Sequence, residues 1–212
     1  MNDLCLMPRS SRASLQITQT PDFNSNATEN NKIDITKTSF EQFIESRSGF
    51  HKRKFLLVIP NIVGDKIAAT APLPGVAYVA GFVRDSGHDV KVVDMRVDWK
   101  MGRLYDAIDE FQPDFIGLSF MSQHEFSKVF KFVDDIHCHY SCAKLVIGWA
   151  GASGLYDKVL KETAVDYVIT REGEYTIVQL LDGLLDKNEI SGLIWNDNGK
   201  IVKNQHRKFE FN

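Results

Sequence analysis

The sequence predicts an α/β fold built on a doubly wound parallel sheet, and three observations carry that prediction. Short apolar runs recur along the chain, among them Phe55–Ile59, Phe115–Leu118 and Leu145–Ile147. Such runs fit strands covered on both faces. Between them lie stretches of helical period, and five such alternations specify parallel strands joined by right-handed crossovers. Last, Asn198-Gly199 stands between two apolar segments, the preferred chemistry of a two-residue hairpin turn. The expected architecture is therefore flavodoxin-like (Rossmann-like): a five-stranded parallel sheet with a C-terminal β-hairpin.

Residues 1–50 are read as a flexible N-terminal arm and residues 51–212 as the folded domain. The first 37 residues are rich in Asn, Ser and Thr and carry few large apolar side chains, too few to offset the entropy of ordering. Phe40, Phe43 and Ile44 have i, i+3, i+4 spacing. This marks a short helix within about residues 39–47, either docked on the domain or transient in the tail. A folded portion of about 150 residues buries roughly 70% of its unfolded surface, enough for a self-sufficient core.

The first strand, Phe55–Ile59, ends at Pro60-Asn61. The loop from Ile62 to Pro74 is longer than the usual strand-to-helix link, and length at a strand's carboxyl end often serves a ligand. The next helix, Gly75–Asp85, presents Val76, Val79, Ala80 and Val83 on one face, and Gly87 is its left-handed cap. The second strand is Val90–Asp94. Asp94 either opens a loop or meets a ribose hydroxyl. Met101, Leu104, Ile108 and Phe111 mark the second helix. The third strand, Phe115–Ser119, leads to a helix predicted to start at Gln123, where Ser122 and Glu125 form a capping box. Its inward residues are Phe126, Val129, Phe130 and Val133. The fourth strand, Lys144–Ile147, runs into Gly148–Ser153, and a short helix carries Val159 and Leu160. After the fifth strand, Asp166–Ile169, a helix opens at Glu172-Gly173-Glu174 and turns Ile177, Leu180, Leu181 and Leu184 inward.

Ligands of open α/β sheets bind beyond the carboxyl ends of the strands. Three loops there carry small residues: Asn61–Pro74, Ser119–Ser122 and Gly148–Ser153. Arg171–Glu174 opens a fourth. Small residues let a ligand approach the backbone. The sequence has no Gly-x-x-x-x-Gly-Lys, no Gly-x-Gly-x-x-Gly after the first strand and no Gly-x-Ser-x-Gly. Ser119 alone is as well explained by bonding to local backbone. Glu172 and Glu174 suit the positive end of a helix dipole. His137, Cys138, His139 and Cys142 are metal-ligand types, but one helix scatters them around its circumference. His124, in the first turn of the helix beside Ser119, either reaches a ligand phosphate or cobalt or is a solvated helix-start residue. A net charge of −3 argues against nucleic acid as the partner. Three cysteines make no disulfide framework and fit a reducing cytoplasm. No apolar run is long enough to span a membrane.

These residues, taken in order, resemble the cobalamin-binding domain of radical SAM enzymes. Val58-Ile59-Pro60-Asn61 resembles its first strand and exit. Pro72–Ala80 is similar to its "Pro, then Gly-Leu-Ala-Tyr-Leu-Ala" helix, and Pro113–Ser119 to its third strand. Asp166-Tyr167-Val168 with Glu172-Gly173-Glu174 is similar to its "Val-Asp, then Gly-Glu-Gly-Glu" signature. The first segment most resembles the anaerobic magnesium-protoporphyrin monomethyl ester cyclase group. The resemblance implies that the cobalamin tail passes Asn61, Ser119, Phe120, Met121, Ser122, Gly148, Trp149, Gly151, Glu172 and Gly173. Ser119 and Met121 take its Ser-x-Leu place.

Three departures shape the functional expectation. The classical module carries Asp-x-His-x-x-Gly in its first loop, whereas this loop reads Asp65-Lys66-Ile67-Ala68-Ala69. The resemblance then implies cobalamin held base-off, with no imidazole from this loop on cobalt. Trp149 and Arg171 stand where the family has glycine; Trp149 either stacks on the tail or fills the slot. The Cys-x-x-x-Cys-x-x-Cys of an iron–sulfur cluster is absent, since Cys138 and Cys142 supply only the first spacing. The expected function is a cobalamin-binding module that serves a radical SAM domain or subunit in methyl transfer or cyclisation. Two other readings stand beside it: a regulatory or interaction domain that lost the cofactor, and a flavin carrier.

Overall fold

The computed structural model describes residues 39–61, 73–98, 100–120, 126–149 and 156–206. The chain divides into two units, residues 1–48 and 49–212. In the first, helix α1 spans Ser39–Glu45. It ends where the Ser46 hydroxyl donates to the Phe43 carbonyl at 2.7 Å.

The second unit alternates strands and helices. They are β1 (Lys54–Ile59), α2 (Pro74–Asp85), β2 (Asp89–Asp94), α3 (Met101–Phe111), β3 (Phe115–Phe120), α4 (Phe126–His139), β4 (Lys144–Trp149), α5 (Tyr156–Glu162), β5 (Tyr167–Thr170) and α6 (Glu174–Asp182). A 3₁₀ turn at Lys187–Glu189 leads to β6 (Leu193–Asp197) and β7 (Lys200–Lys203). The sheet order is β2-β1-β3-β4-β5-β6-β7. Strands β1 to β5 are mutually parallel. The winding goes outward from β1 to β2, then reverses to β3, so a topological switch point lies between β1 and β3.

The parallel part has the five strands read from the sequence. The hairpin departs from expectation by joining the sheet: β6 pairs antiparallel with β5, and β7 with β6. Among the described residues the sheet therefore has seven strands. Leu193, Ile194 and Trp195 are buried, so pairing with β5 hides a strand that could not stand in water alone. Asn198 and Gly199 have φ of 52° and 96°. Both central residues are thus left-handed, as a type I′ turn requires.

Strand alternation sorts the side chains onto two faces. Leu56, Val58, Ile116, Leu118, Leu145 and Ile147 face one way and form the main core with Leu104 and Ile108 of α3, Val129 and Val133 of α4, and Val159 and Leu160 of α5. The opposite face is covered by α2 and α6, which contact each other. Helix α2 closes with a Schellman arrangement: the Gly87 amide donates to Arg84 O at 2.9 Å and the His88 amide to Val83 O at 3.3 Å. Gly87 itself has φ of 92°.

One inward assignment is corrected. Leu184 is 45% exposed, not packed on the sheet. Gly183 takes φ of 66° and ends α6 before Leu184 can continue its apolar face. The predicted helix start at Gln123, with Ser122, His124 and Glu125, lies outside the described residues, as does the loop from Ile62 to Pro72. No helix among the described residues is long and apolar enough to cross a membrane.

Candidate functional site

Two helices do not fill the α2/α6 face as three fill the other. Between them, over the carboxyl halves of the central strands, lies a cavity of about 360 Å³. Its position follows from register. Leu57 pairs with Gly117, Gly117 with Val146, Ser119 with Gly148, and Gly148 with Ile169. These residues share the parity that faces α2 and α6, and all of them line the cavity. The helices contribute Val76 and Val79 of α2 and Ile177 of α6. The helix side is therefore apolar, the sheet side carries Gly117, Ser119 and Gly148, and the Phe55 ring over Gly117 forms the floor at the inner end.

The glycines have different roles. A side-chain carbon on Gly148 would meet nothing within 4 Å, so this position opens directly onto the cavity. One on Gly117 would collide with Phe55 Cζ and come within 2.7 Å of its Cε2. Gly117 thus makes room for a neighbouring ring. One on Gly173 would lie 2.9 Å from Ile169 Cγ2, a contact that only glycine relieves.

The mouth is bounded by Leu73-Pro74-Gly75 at the start of α2 and by Arg171–Glu174 at the start of α6. Gly173 is the N-cap of α6. Arg171 has φ of 63°, left-handed backbone that a side chain adopts at a cost. Near it, His206 Nδ1 lies 3.2 Å from the Thr170 hydroxyl. Burial, then the charges of Arg171 and Lys203, lower the His206 pKa from its ordinary value.

Of the residues singled out from the sequence, the cavity brings together Ser119, Phe120, Gly148, Glu172 and Gly173. The Phe120 side chain belongs to the core on the opposite face, so its backbone is what borders the cavity. Asn61 follows β1 and is not among the lining residues. Trp149 ends β4, where its backbone is in register with Phe120 and Thr170. Met121, Ser122 and Gly151 lie outside the described residues. The sequence reading did not place Phe55, Leu57, Gly117, Val146 or Ile169 in the site. The signal that could have found them is strand parity, since every second residue beside Ser119 and Gly148 faces the same way.

Two other candidates are accounted for. Asp94 accepts from Arg96 Nε at 2.9 Å and from its Nη2 at 2.6 Å, and it also accepts the Arg96 amide at 3.0 Å. It organises the loop after β2. His139 Nε2 lies 2.9 Å from Asp109 Oδ1, with its ring stacked on Tyr105 at 4.1 Å. Among the described residues no group of three or more His, Cys, Asp and Glu is arranged to hold a metal ion.

Comparison with known proteins agrees with this geometry. The chain is 28% identical over 158 residues to an uncharacterized methyltransferase of Pyrococcus horikoshii, covering 70% of this chain and 34% of that protein. It is 25% identical over 163 residues to the anaerobic magnesium-protoporphyrin IX monomethyl ester cyclase of Rubrivivax gelatinosus, covering 70% of this chain and 29% of that protein. The chain thus spans about a third of the length of these relatives. Its fold is shared with the cobalamin-dependent S-adenosylmethionine radical enzyme OxsB, solved with aqua-cobalamin and S-adenosylmethionine bound (TM-score 0.61, 19% identity, 75% of this chain and 23% of that one). It is shared too with the radical S-adenosylmethionine methyltransferase TsrM from Kitasatospora setae, solved with cobalamin and a [4Fe-4S] cluster (TM-score 0.62, 21% identity, 76% and 30%). The family model for the B12 binding domain matches residues 60–181, more than half of the chain. From α2 through α6, with the cavity between those two helices, this chain belongs to the B12-binding domain family.

Proposed function

We propose that residues 51–212 form a cobalamin-binding module that presents the corrin to a radical SAM domain or subunit, with residues 1–50 as an arm. The observation that supports this most is the cavity: apolar walls, open space over Gly148, and a mouth at the carboxyl ends of the strands. A long flat appendage needs that shape. Ser119 adds a half-buried hydroxyl that lines the cavity and makes no hydrogen bond among the described residues, so it is available to a ligand. Both features fit the nucleotide tail of cobalamin.

When bound, the corrin supplies a cobalt that carries a methyl group or an electron. The chain's own work is to hold and orient. Val76, Val79 and Ile177 keep water from the tail, Gly148 lets it approach β4, and Ser119 offers one polar contact. The first loop contains no His that could offer cobalt an imidazole, and a tail seated between α2 and α6 would leave the corrin base-off. The sequence also lacks the three-cysteine motif of a radical SAM cluster, so that chemistry belongs to the partner.

The test is direct. Purified protein mixed with hydroxocobalamin and desalted should retain the corrin with a base-off visible spectrum. Retention of none would favour a domain that lost its cofactor, and a yellow chromophore from the host would favour flavin. Ser119→Leu should abolish retention while far-ultraviolet dichroism stays unchanged, because the new side chain fills the slot and leaves the sheet intact. Unaltered retention would remove Ser119 from the site.

A further inference from the structure

We infer that the cavity selects among corrinoids by the base on their nucleotide tail, taking an apolar benzimidazole and rejecting a purine, with Phe55 as the floor that sets its depth. This deepens the cobalamin reading and rests on it.

The polarity of the lining comes first. Between the mouth and the floor, the side chains of Leu57, Val76, Val79, Val146, Ile169 and Ile177 offer no hydrogen bond. Among the described lining residues, the Ser119 hydroxyl is the one polar side chain away from the mouth, where Arg171, Glu172 and Glu174 stand. A benzimidazole attached through one ring nitrogen has one other nitrogen to satisfy, and one hydroxyl is enough. A purine brings further ring nitrogens and an exocyclic group. Deep between apolar walls these lose their water without replacement, and each buried group left unpaired weakens binding by about tenfold.

Depth comes second. Phe55 is 2% exposed and lies on the cavity-facing parity of β1, one step below Leu57 towards the strand's start. Its ring fills the place that a Gly117 side chain would need. A planar group entering from the strand ends passes Ser119 and Gly148, then meets this ring. At that depth the base is surrounded by the side chains of Phe55, Leu57 and Ile177, which cannot replace the water a purine gives up. A smaller residue at 55 opens that space, so discrimination falls.

The experiment titrates the whole chain by absorbance with three probes: hydroxocobalamin, its analogue carrying adenine in place of dimethylbenzimidazole, and cobinamide, which has no base. Wild type is expected to bind hydroxocobalamin at least about tenfold more tightly than either other probe. In Phe55→Leu the preference over the adenine analogue should fall to about threefold or less, while far-ultraviolet dichroism stays as in wild type and so reports an intact fold. Wild type binding all three alike, or binding the adenine form as tightly as hydroxocobalamin, would overturn the inference yet leave the cobalamin reading standing. Binding of none would sink both. An unchanged preference in Phe55→Leu would remove Phe55 as the floor.

Discussion

Gly117 and Phe55 act as one unit. The ring can lie along the sheet only because residue 117 has no side chain, and a methyl group there would collide with Phe55 Cζ. Gly117→Ala should therefore destabilise the fold by about 1–3 kcal/mol, the usual cost of overpacking, read as a lower urea midpoint. Combining it with Phe55→Leu should recover part of that loss. Additive effects in the double variant would mean that the two positions do not share the space. Gly148 makes the opposite case, because a side chain there meets open cavity. Asp94 shows how a sequence-level candidate resolves into structure. The hydrogen bond from Arg96 holds its carboxyl below the ordinary range. In the unfolded chain an Asp titrates near 3.9, so on acidification the unfolded state takes the proton first. The stabilisation is whole above about pH 5 and is lost as pH falls through the folded value. Asp94→Asn should lower stability at pH 7 and cost less near pH 3, as measured by denaturant titration at both. An equal deficit at both values would rule the ion pair out as its source.

Among the elements, the lower edge of the sheet is fastened by a repeated device. Asp114, just before β3, accepts the Lys54 amide at 2.8 Å, and Asp166, just before β5, accepts the Leu145 amide at 2.9 Å. Each carboxylate satisfies the neighbouring strand's first amides. The "Val-Asp" stretch that resembles a family signature thus includes an Asp that works at the end of the sheet away from the cavity mouth. His88 fastens the helical layer there. Its Nδ1 accepts the Arg53 amide at 3.2 Å, which leaves the proton on Nε2 to be donated to Asp182 at 3.1 Å. That links the end of α2, the approach to β1 and the end of α6, and both side chains are essentially buried. His88→Leu removes both bonds and leaves the Arg53 amide without this acceptor; it should cost about 2 kcal/mol or more, seen in denaturant unfolding. A loss under about 0.5 kcal/mol would show that the link carries little. The order and type of the elements are legible in the sequence because apolar period and turn chemistry are local. The cavity walls are less so. Ser119, Gly148 and Gly173 stand out as small residues at strand ends. Phe55 and Ile177 look like ordinary core, and only the spacing of α2 and α6 turns them into a lining. The edge pairing of the hairpin is likewise set by a distant partner, β5.

At the scale of the molecule, the two faces of the sheet are unequal. Helices α3, α4 and α5 seal one face with a continuous core, while α2 and α6 leave a cavity on the other. A ligand that fills the cavity adds contacts only to the second face. Binding at a hundred times Kd stabilises the native state by about 2.7 kcal/mol against global unfolding. Amides that exchange through local opening, however, should respond only where the new contacts form. On addition of saturating hydroxocobalamin, hydrogen exchange should therefore slow in the first two turns of α2 and the first turn of α6, which border the mouth. The exposed first turns of α3 and α5, on the far face, should exchange as before. Cobinamide, with nothing to insert between the helices, should protect these segments less. Equal slowing on both faces would place the ligand elsewhere, or show that it acts on the whole fold rather than on the gap that α2 and α6 leave over β1, β3, β4 and β5.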